Sequence, residues 1–318
     1  MLITFPICFF LNRKKCVFLQ SHKKLQTISK MRIKFLLLLL VTGMQAVAQI
    51  GSNTRESKNN LKEMNLYGKV KTFKITPYKL VDYFGKITKG EKQEFWRGDV
   101  VIVFDEKGYK AENNTYNKVG QLSQKVIYKY DDNGKRLSRD LYNSYGKLQM
   151  KFLYVYDNKG AKTAYNSYSP TGELNDSYLY KNDDKGRMLE EIWIKKDKSF
   201  GSKYTYEYDK LGKLSRMCQY TISENQVDNC TSYKYDKNGR IAEIEIYSGN
   251  NALSRRSVIT YDDKGNEKEI KYYDGKGIFL EERSYTYKFD NNGNWVERIE
   301  SINQFPKSFL EREITYYP

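Results

Sequence analysis

The side chains that could do chemistry in this chain are unevenly supplied, with 29 tyrosines and one histidine in 318 residues. That histidine, His22, lies ahead of a segment expected to be removed on export, so His-based catalysis and His-ligated metal sites drop out. No nucleophile elbow or phosphate loop occurs, which leaves paired carboxylates as the route to an enzyme. Glu190 and Glu191, like Glu281 and Glu282, are adjacent, and adjacent strand residues point to opposite faces. Glu243 and Glu245 share a face but alternate with Ile244 and Ile246, the pattern of a strand with one side in solvent. No catalytic residue and no cofactor is expected.

Loops such as Asp131-Asp132-Asn133-Gly134 and Asp290-Asn291-Asn292-Gly293 offer oxygens to calcium. A calcium site needs about six to eight of them, and the lysine inside many of these turns opposes a cation, so no metal is expected. Cys218 and Cys230 stand almost symmetrically about Glu224. A hairpin would bring them opposite one another, and an oxidising compartment would bridge them. Tyrosine and tryptophan can stack on sugar rings. Trp96, Trp193 and Trp295, which break the repeat described next, are the candidates for ligand stacking.

These residues sit on a periodic framework. Gly108, Gly134, Gly160, Gly186, Gly212, Gly239, Gly265 and Gly293 recur every 26 to 28 residues. Three residues before each stands an aspartate: Asp105, Asp131, Asp157, Asp183, Asp209, Asp236, Asp262 and Asp290. In Asp-x-x-Gly the aspartate accepts a backbone hydrogen bond two residues on, and the glycine takes the left-handed conformation that closes a bulged hairpin. The flanks alternate at period two, as strands do. Aromatic pairs such as Tyr128 with Tyr130 and Tyr206 with Tyr208 precede the turns, and a further tyrosine, such as Tyr142, follows eight residues after the glycine. A second loop lies midway, marked by Gly120, Gly146, Gly172, Gly201, Gly249 and Gly277.

Connections this short join antiparallel neighbours. The expected fold class is therefore all-β: an extended antiparallel meander of about eight 26-residue two-strand repeats, twisted into a spiral, an open shell or a solenoid. Most tyrosines then serve cross-strand packing.

The N-terminus reads as targeting sequence. Met31-Arg32-Ile33-Lys34, the apolar run from Phe35 to Val41 and the small residues Ala46-Val47-Ala48 have the layout of a secretory signal peptide. The run is too short for a transmembrane anchor. Residues 1–30 read as a spurious upstream extension, 31–48 as the signal, 49–65 as a flexible leader, 66–98 as N-terminal capping strands and 99–318 as the repeat domain. The first 48 residues hold eight of the 55 basic side chains and none of the 39 acidic ones, so the remainder carries a net +8. Charge that thinly spread is no nucleic-acid footprint.

The core Tyr-Asp-x-x-Gly, as in Tyr130 to Gly134, Tyr156 to Gly160, Tyr208 to Gly212, Tyr235 to Gly239 and Tyr261 to Gly265, resembles the YD repeats of the rearrangement-hotspot (RHS) superfamily. Small exported repeat proteins of Bacteroidetes, with phrases like Phe289 to Trp295 and Leu66 to Lys71, are the nearest resemblance. It covers residues 66–318 and implies a spiralling β-shell, carbohydrate binding or toxin encapsulation. Asn182 in place of the tyrosine, Phe104 and Phe289, and the absence of an appended toxin domain depart from that pattern and speak against toxin delivery. The expected function is that of an exported, non-enzymatic binding or structural module in the periplasm, at the cell surface or secreted. The sequence names no ligand; the candidate partners are an envelope glycan or another envelope protein, and the alternative is a glycan-processing hydrolase with a carboxylate site on the sheet.

Overall fold

The structure is a computed structural model and describes residues 60–93, 99–117 and 119–318. The signal segment, His22 and Trp96 lie outside the described residues. A one-turn helix α1 (Asn60–Glu63) precedes β1 (Val70–Tyr83), β2 (Lys86–Lys92), β3 (Val100–Phe104), β4 (Lys110–Tyr116), β5 (Leu122–Tyr130) and β6 (Arg136–Asn143). Then come β7 (Leu148–Tyr156), β8 (Lys162–Tyr168), β9 (Leu174–Asn182), β10 (Met188–Ile194), β11 (Phe200–Tyr208) and β12 (Leu214–Tyr220). The last are β13 (Asn229–Tyr235), β14 (Ile241–Ser248), β15 (Leu253–Tyr261), β16 (Glu267–Asp274), β17 (Phe279–Phe289), β18 (Trp295–Ile302) and β19 (Phe305–Tyr316).

From β3 to β19 each strand pairs antiparallel with its chain neighbour, as the short turns require. The expected open spiral, shell or solenoid is nevertheless corrected to a closed barrel. One edge of β1 pairs with β19, from Val70 opposite Tyr316 to Tyr78 opposite Phe309, and the other pairs with β3, from Thr72 opposite Val103 to Ile75 opposite Val100. An open meander would leave two rows of unpaired N–H and C=O groups. Accumulated twist brings those two edges within one strand's width, and β1 satisfies both at once. Strand β1 is thus the eighteenth stave of the ring. Strand β2 pairs only with the far part of β1 and stands outside the ring.

Eighteen strands at about 4.8 Å spacing enclose a circle roughly 30 Å across, wider than side chains from one wall can fill. Among the described elements, the extensive contacts run only between sheet neighbours. Inward-facing side chains such as Tyr154, Tyr165, Tyr178 and Trp193 are half-buried rather than sealed. The barrel therefore encloses a lumen.

The eight repeat Asp-x-x-Gly turns, from Asp105–Gly108 to Asp290–Gly293, lie on one rim, and another, Asp274–Gly277, lies on the opposite rim. Gly134 has φ 80°, its N–H donates to the Asp131 carbonyl at 3.0 Å, and Asp131 Oδ1 accepts from the N–H groups of Asn133 (2.9 Å) and Lys135 (2.8 Å). Each turn bulges its hairpin, so successive hairpins diverge near this rim. The last register pair between β4 and β5 is Glu112 opposite Ile127. Beyond it the Tyr130 hydroxyl bridges the gap by donating to the Lys110 carbonyl at 2.9 Å. Tyr156, Tyr208, Tyr235, Tyr261 and Tyr287 repeat this bond to the carbonyls of Arg136, Met188, Leu214, Ile241 and Glu267, at 2.7–2.8 Å. Tyr317 closes the circle on the Phe104 carbonyl at 2.7 Å. Asn182, which breaks the sequence motif, makes the same bond through Nδ2 to the Lys162 carbonyl at 2.8 Å.

The leader expected to be flexible over 49–65 is anchored from residue 60 onward. Asn60 Oδ1 accepts from the Lys110 N–H at 2.8 Å and from the Tyr130 hydroxyl at 3.1 Å. Farther along, Asn65 Nδ2 donates to Asn266 Oδ1 at 3.1 Å. Asn294, 1% exposed, accepts from the Tyr67 N–H and donates to the Tyr67 carbonyl, both at 2.8 Å. Residues 60–67 therefore reach from β4 and β5 to the turns after β15 and β17, which only the enclosed face permits. Leu61 and Leu66 of this strap pack with Val70, Phe73 and Phe104 as the buried apolar core.

Candidate functional site

Strand alternation sorts the side chains into an outer and an inner face. Ion pairs stud the outer one: Lys125 with Glu112 (2.9 Å), Lys129 with Asp140 (3.6 Å), Arg256 and Lys234 with Glu243, Lys271 with Glu269 (2.9 Å) and Lys288 with Glu297 (2.7 Å). Tyrosines that follow the turn glycine, such as Tyr220 and Tyr273, stand on this face beside Lys203 and Arg256. Glu243, although desolvated, is held below the usual carboxylate range by its bonds to Arg256 and Lys234. The same-face pair Glu243 and Glu245 is thus an ion-pair node.

The inner face is aromatic. Ring contacts continue from strand to strand across β7 to β10. Phe152 and Tyr165 lie parallel at 5.5 Å, Tyr165 and Tyr178 are 5.5 Å apart, and Tyr178 and Trp193 lie parallel at 6.2 Å. Register explains the row, because Tyr165 is opposite Tyr178 and Tyr178 is opposite Trp193. At one end the Arg139 guanidinium lies 4.1 Å over the Phe152 ring. At the other, Trp193 Nε1 donates to Asp176 Oδ1 at 3.2 Å.

Gly201 was expected to mark a loop, but it lies within β11. A Cβ there would stand 2.4 Å from the Trp193 indole, so glycine is what lets that ring lie against the β11 backbone. Lys198, at φ 66°, takes the left-handed position of the neighbouring turn instead.

Burial tunes several inner groups. It raises Tyr165 and Tyr180 far above the usual phenol range and Tyr208 and Tyr235 to about 12. Desolvation also raises Glu191, against the opposing pull of Lys162 and a hydrogen bond from Tyr206 at 3.3 Å. Glu267 is raised by burial and by Glu300, which itself accepts from Ser308 at 2.9 Å and pairs with Arg283 at 3.4 Å. Lys110, beneath the strap, is lowered to about 8 by burial and the Arg136 charge.

The hydrolase alternative meets a geometric obstacle on the aromatic wall. Glu191 faces Tyr180, four residues and roughly 13 Å of strand from Asp176. A glycosidase pair is about 5 to 9 Å apart.

Of the tryptophans singled out by sequence, Trp193 joins the inner row. Trp295 is buried, with the Arg312 guanidinium 3.4 Å from its ring, and offers no face to a ligand. Cys218 and Cys230 stand opposite one another on β12 and β13 with Cα atoms 4.0 Å apart, joined as a disulfide. Each turn aspartate is occupied by its own backbone, as in Asp157 with Lys159 and Ala161. Arg139, Asp176, Tyr165 and Tyr178 were missed. The available signal was that Tyr165 and Tyr178 fall outside the three repeated tyrosine positions yet keep inward parity.

No family model matches the chain, and no curated protein matches it. Among solved structures it is similar to a porin-like protein from Bacteroides uniformis (11% identity, 77% of this chain and 96% of that one, TM-score 0.39). It is also similar to the Photorhabdus luminescens Tc holotoxin pore (13% identity, 69% of this chain, TM-score 0.23), of whose chain it spans 16%. A third is an outer membrane lipoprotein-sorting protein domain from Vibrio parahaemolyticus (10% identity, 85% and 91% covered, TM-score 0.20). The resemblance to YD repeats rests on the turn motif itself.

Proposed function

We propose that this chain is an exported, non-enzymatic β-barrel of the cell envelope that stands in water and uses its lumen as a binding compartment, with carbohydrate as the ligand class. The observation that carries the reading is the outer face, where paired lysines and glutamates stand at strand interiors, against an inner wall that is aromatic from β7 to β10. A membrane-spanning barrel presents an apolar band outward and a polar lumen. Here outward lysines and glutamates occupy strand interiors, where each basic residue facing lipid at mid-depth would cost about 2–4 kcal/mol. No described helix is long and apolar enough to cross a membrane either, a statement that concerns helices alone.

Sugar rings have apolar faces and hydroxylated edges, which suits half-buried tyrosine and tryptophan flanked by Asp176. Export rests on the expected signal at 31–48. Cell fractionation tests the first half of the reading: the protein should enter the soluble periplasmic or secreted fraction without detergent, and recovery only from detergent-extracted membranes would defeat it. A glycan array probed with the full chain tests the second half, where no binding above background would remove the carbohydrate class.

A further inference from the structure

Building on that reading of the lumen, we infer that the inner wall across β6 to β10 is a subsite for a linear acidic oligosaccharide, with Arg139 receiving a carboxylate and the aromatic row receiving the sugar faces. The row places one group on each successive strand: Arg139, Phe152, Tyr165, Tyr178 and Trp193. Strands repeat at about 4.8 Å, close to the advance of one sugar ring in an extended chain.

Charge argues for an acidic ligand. Arg139 lies on Phe152 with its Nε buried and without a hydrogen-bond partner, and it pairs with no carboxylate among the described residues. A guanidinium left uncompensated on an enclosed wall favours a planar anion, which it can hold in bidentate fashion. Elsewhere in the sheet Arg283 is paired with Glu281 at 2.7 Å and Arg256 with Glu243, while Arg298 and Arg312, like Arg139, keep a buried Nε without a hydrogen-bond partner.

The opposite end is also built. Trp193 is seated on Gly201, and its N–H is committed to Asp176, whose second oxygen accepts from Ser167 at 3.4 Å, a long bond that a ligand hydroxyl can replace. Phenolic hydroxyls and a carboxylate interrupt the apolar surface at the spacing of the strands. This suits a ring with polar edges and penalises an acyl chain, which would leave those groups unpaired.

The test titrates the full chain with oligogalacturonate, a neutral cello-oligosaccharide and a long-chain fatty acid, read by calorimetry and tryptophan emission. Oligogalacturonate should bind tightest, with affinity falling as salt rises. Arg139→Gln should weaken it about tenfold or more while leaving the cello-oligosaccharide unchanged, and Arg139→Lys should restore part of the loss. Trp193→Phe should remove the emission change on binding. Unchanged circular dichroism and melting temperature would establish that each variant is folded, and Gly201→Ala, which displaces the indole, supplies an independent arm expected to weaken both sugars. Equal binding of acidic and neutral sugars, indifferent to Arg139→Gln, would overturn the inference. Fatty acid binding alone would overturn it and leave the lumen a binding compartment, whereas silence from all three probes would defeat the compartment reading as well.

Discussion

The two rims of the barrel are made from the same repeat but behave differently. On the rim of the repeat turns the turns are alike, a hydroxyl or amide bridges one hairpin to the next, and the strap crosses the mouth with its leucines in the apolar core. The second rim has no uniform motif. Its turns use glycine at Gly120, Gly146, Gly172 and Gly277, but Lys198, Asn251 and the pair Asn303 and Gln304 in left-handed conformations at others. Its tips expose Tyr145 (91%), Phe305 (69%) and Ile222 (69%). The aromatic row ends beside this rim, since Trp193 precedes the end of β10 by one residue. One rim holds the sheet in register, which leaves the other free to vary.

The largest losses are expected at the motif rim. Asn294→Ala removes both backbone bonds to Tyr67 and strands them under the strap, with an expected cost of about 3 kcal/mol in urea unfolding. A loss under 1 kcal/mol would mean that the strap is dispensable.

Lys110 makes a pH test of the same region. Its folded-state value near 8 lies below its ordinary 10.5. The unfolded chain therefore binds more protons between these values, and stability should rise across pH 8 to 10.5, by on the order of 3 kcal/mol. Lys110→Met should flatten that rise. Glu191 has the opposite sign: its raised value means stability is present at acid pH and declines as pH climbs past the ordinary glutamate range. Glu191→Gln should remove that decline.

On the second rim the bridge between Cys218 and Cys230, 12 residues apart, should contribute about 2–3 kcal/mol. Non-reducing intact mass checks it, and two titratable thiols in the native protein would rule it out. Smaller still, Tyr156→Phe should cost about 1 kcal/mol, because one hydroxyl bridge is lost while the ring stays packed. Asn143→Ala, which breaks a second-rim turn accepting from Tyr145 and Lys147, should cost no more than that. Equal losses at Tyr156 and Asn143 would erase the contrast between the rims.

Much of this was legible in the residues. Asp-x-x-Gly at a 26-residue period dictates a bulged turn, and period-two flanks dictate antiparallel strands, because both follow from local hydrogen bonding and backbone sterics. The disulfide partners were legible for the same reason, being placed symmetrically about one loop. Asn182 looked like a defect because residue type was compared with the motif, whereas the wall needs a donor that reaches the Lys162 carbonyl. Gly201 looked like a loop because glycine is a local turn signal; its role depends on an indole from the adjacent strand. Arg139 and Asp176 carried no motif, since only cross-strand register places them at the two ends of one row.

Sequence alone determined the secondary structure, the antiparallel order and the two rims, all of them decided within a few residues of each turn. Only the tertiary structure decided that the sheet closes, because β1 pairs with β19 across more than two hundred residues and accumulated twist must first bring the edges together. Closure in turn decided which tyrosines became a lumen wall. A period-two pattern separates two faces and leaves open which of them is enclosed.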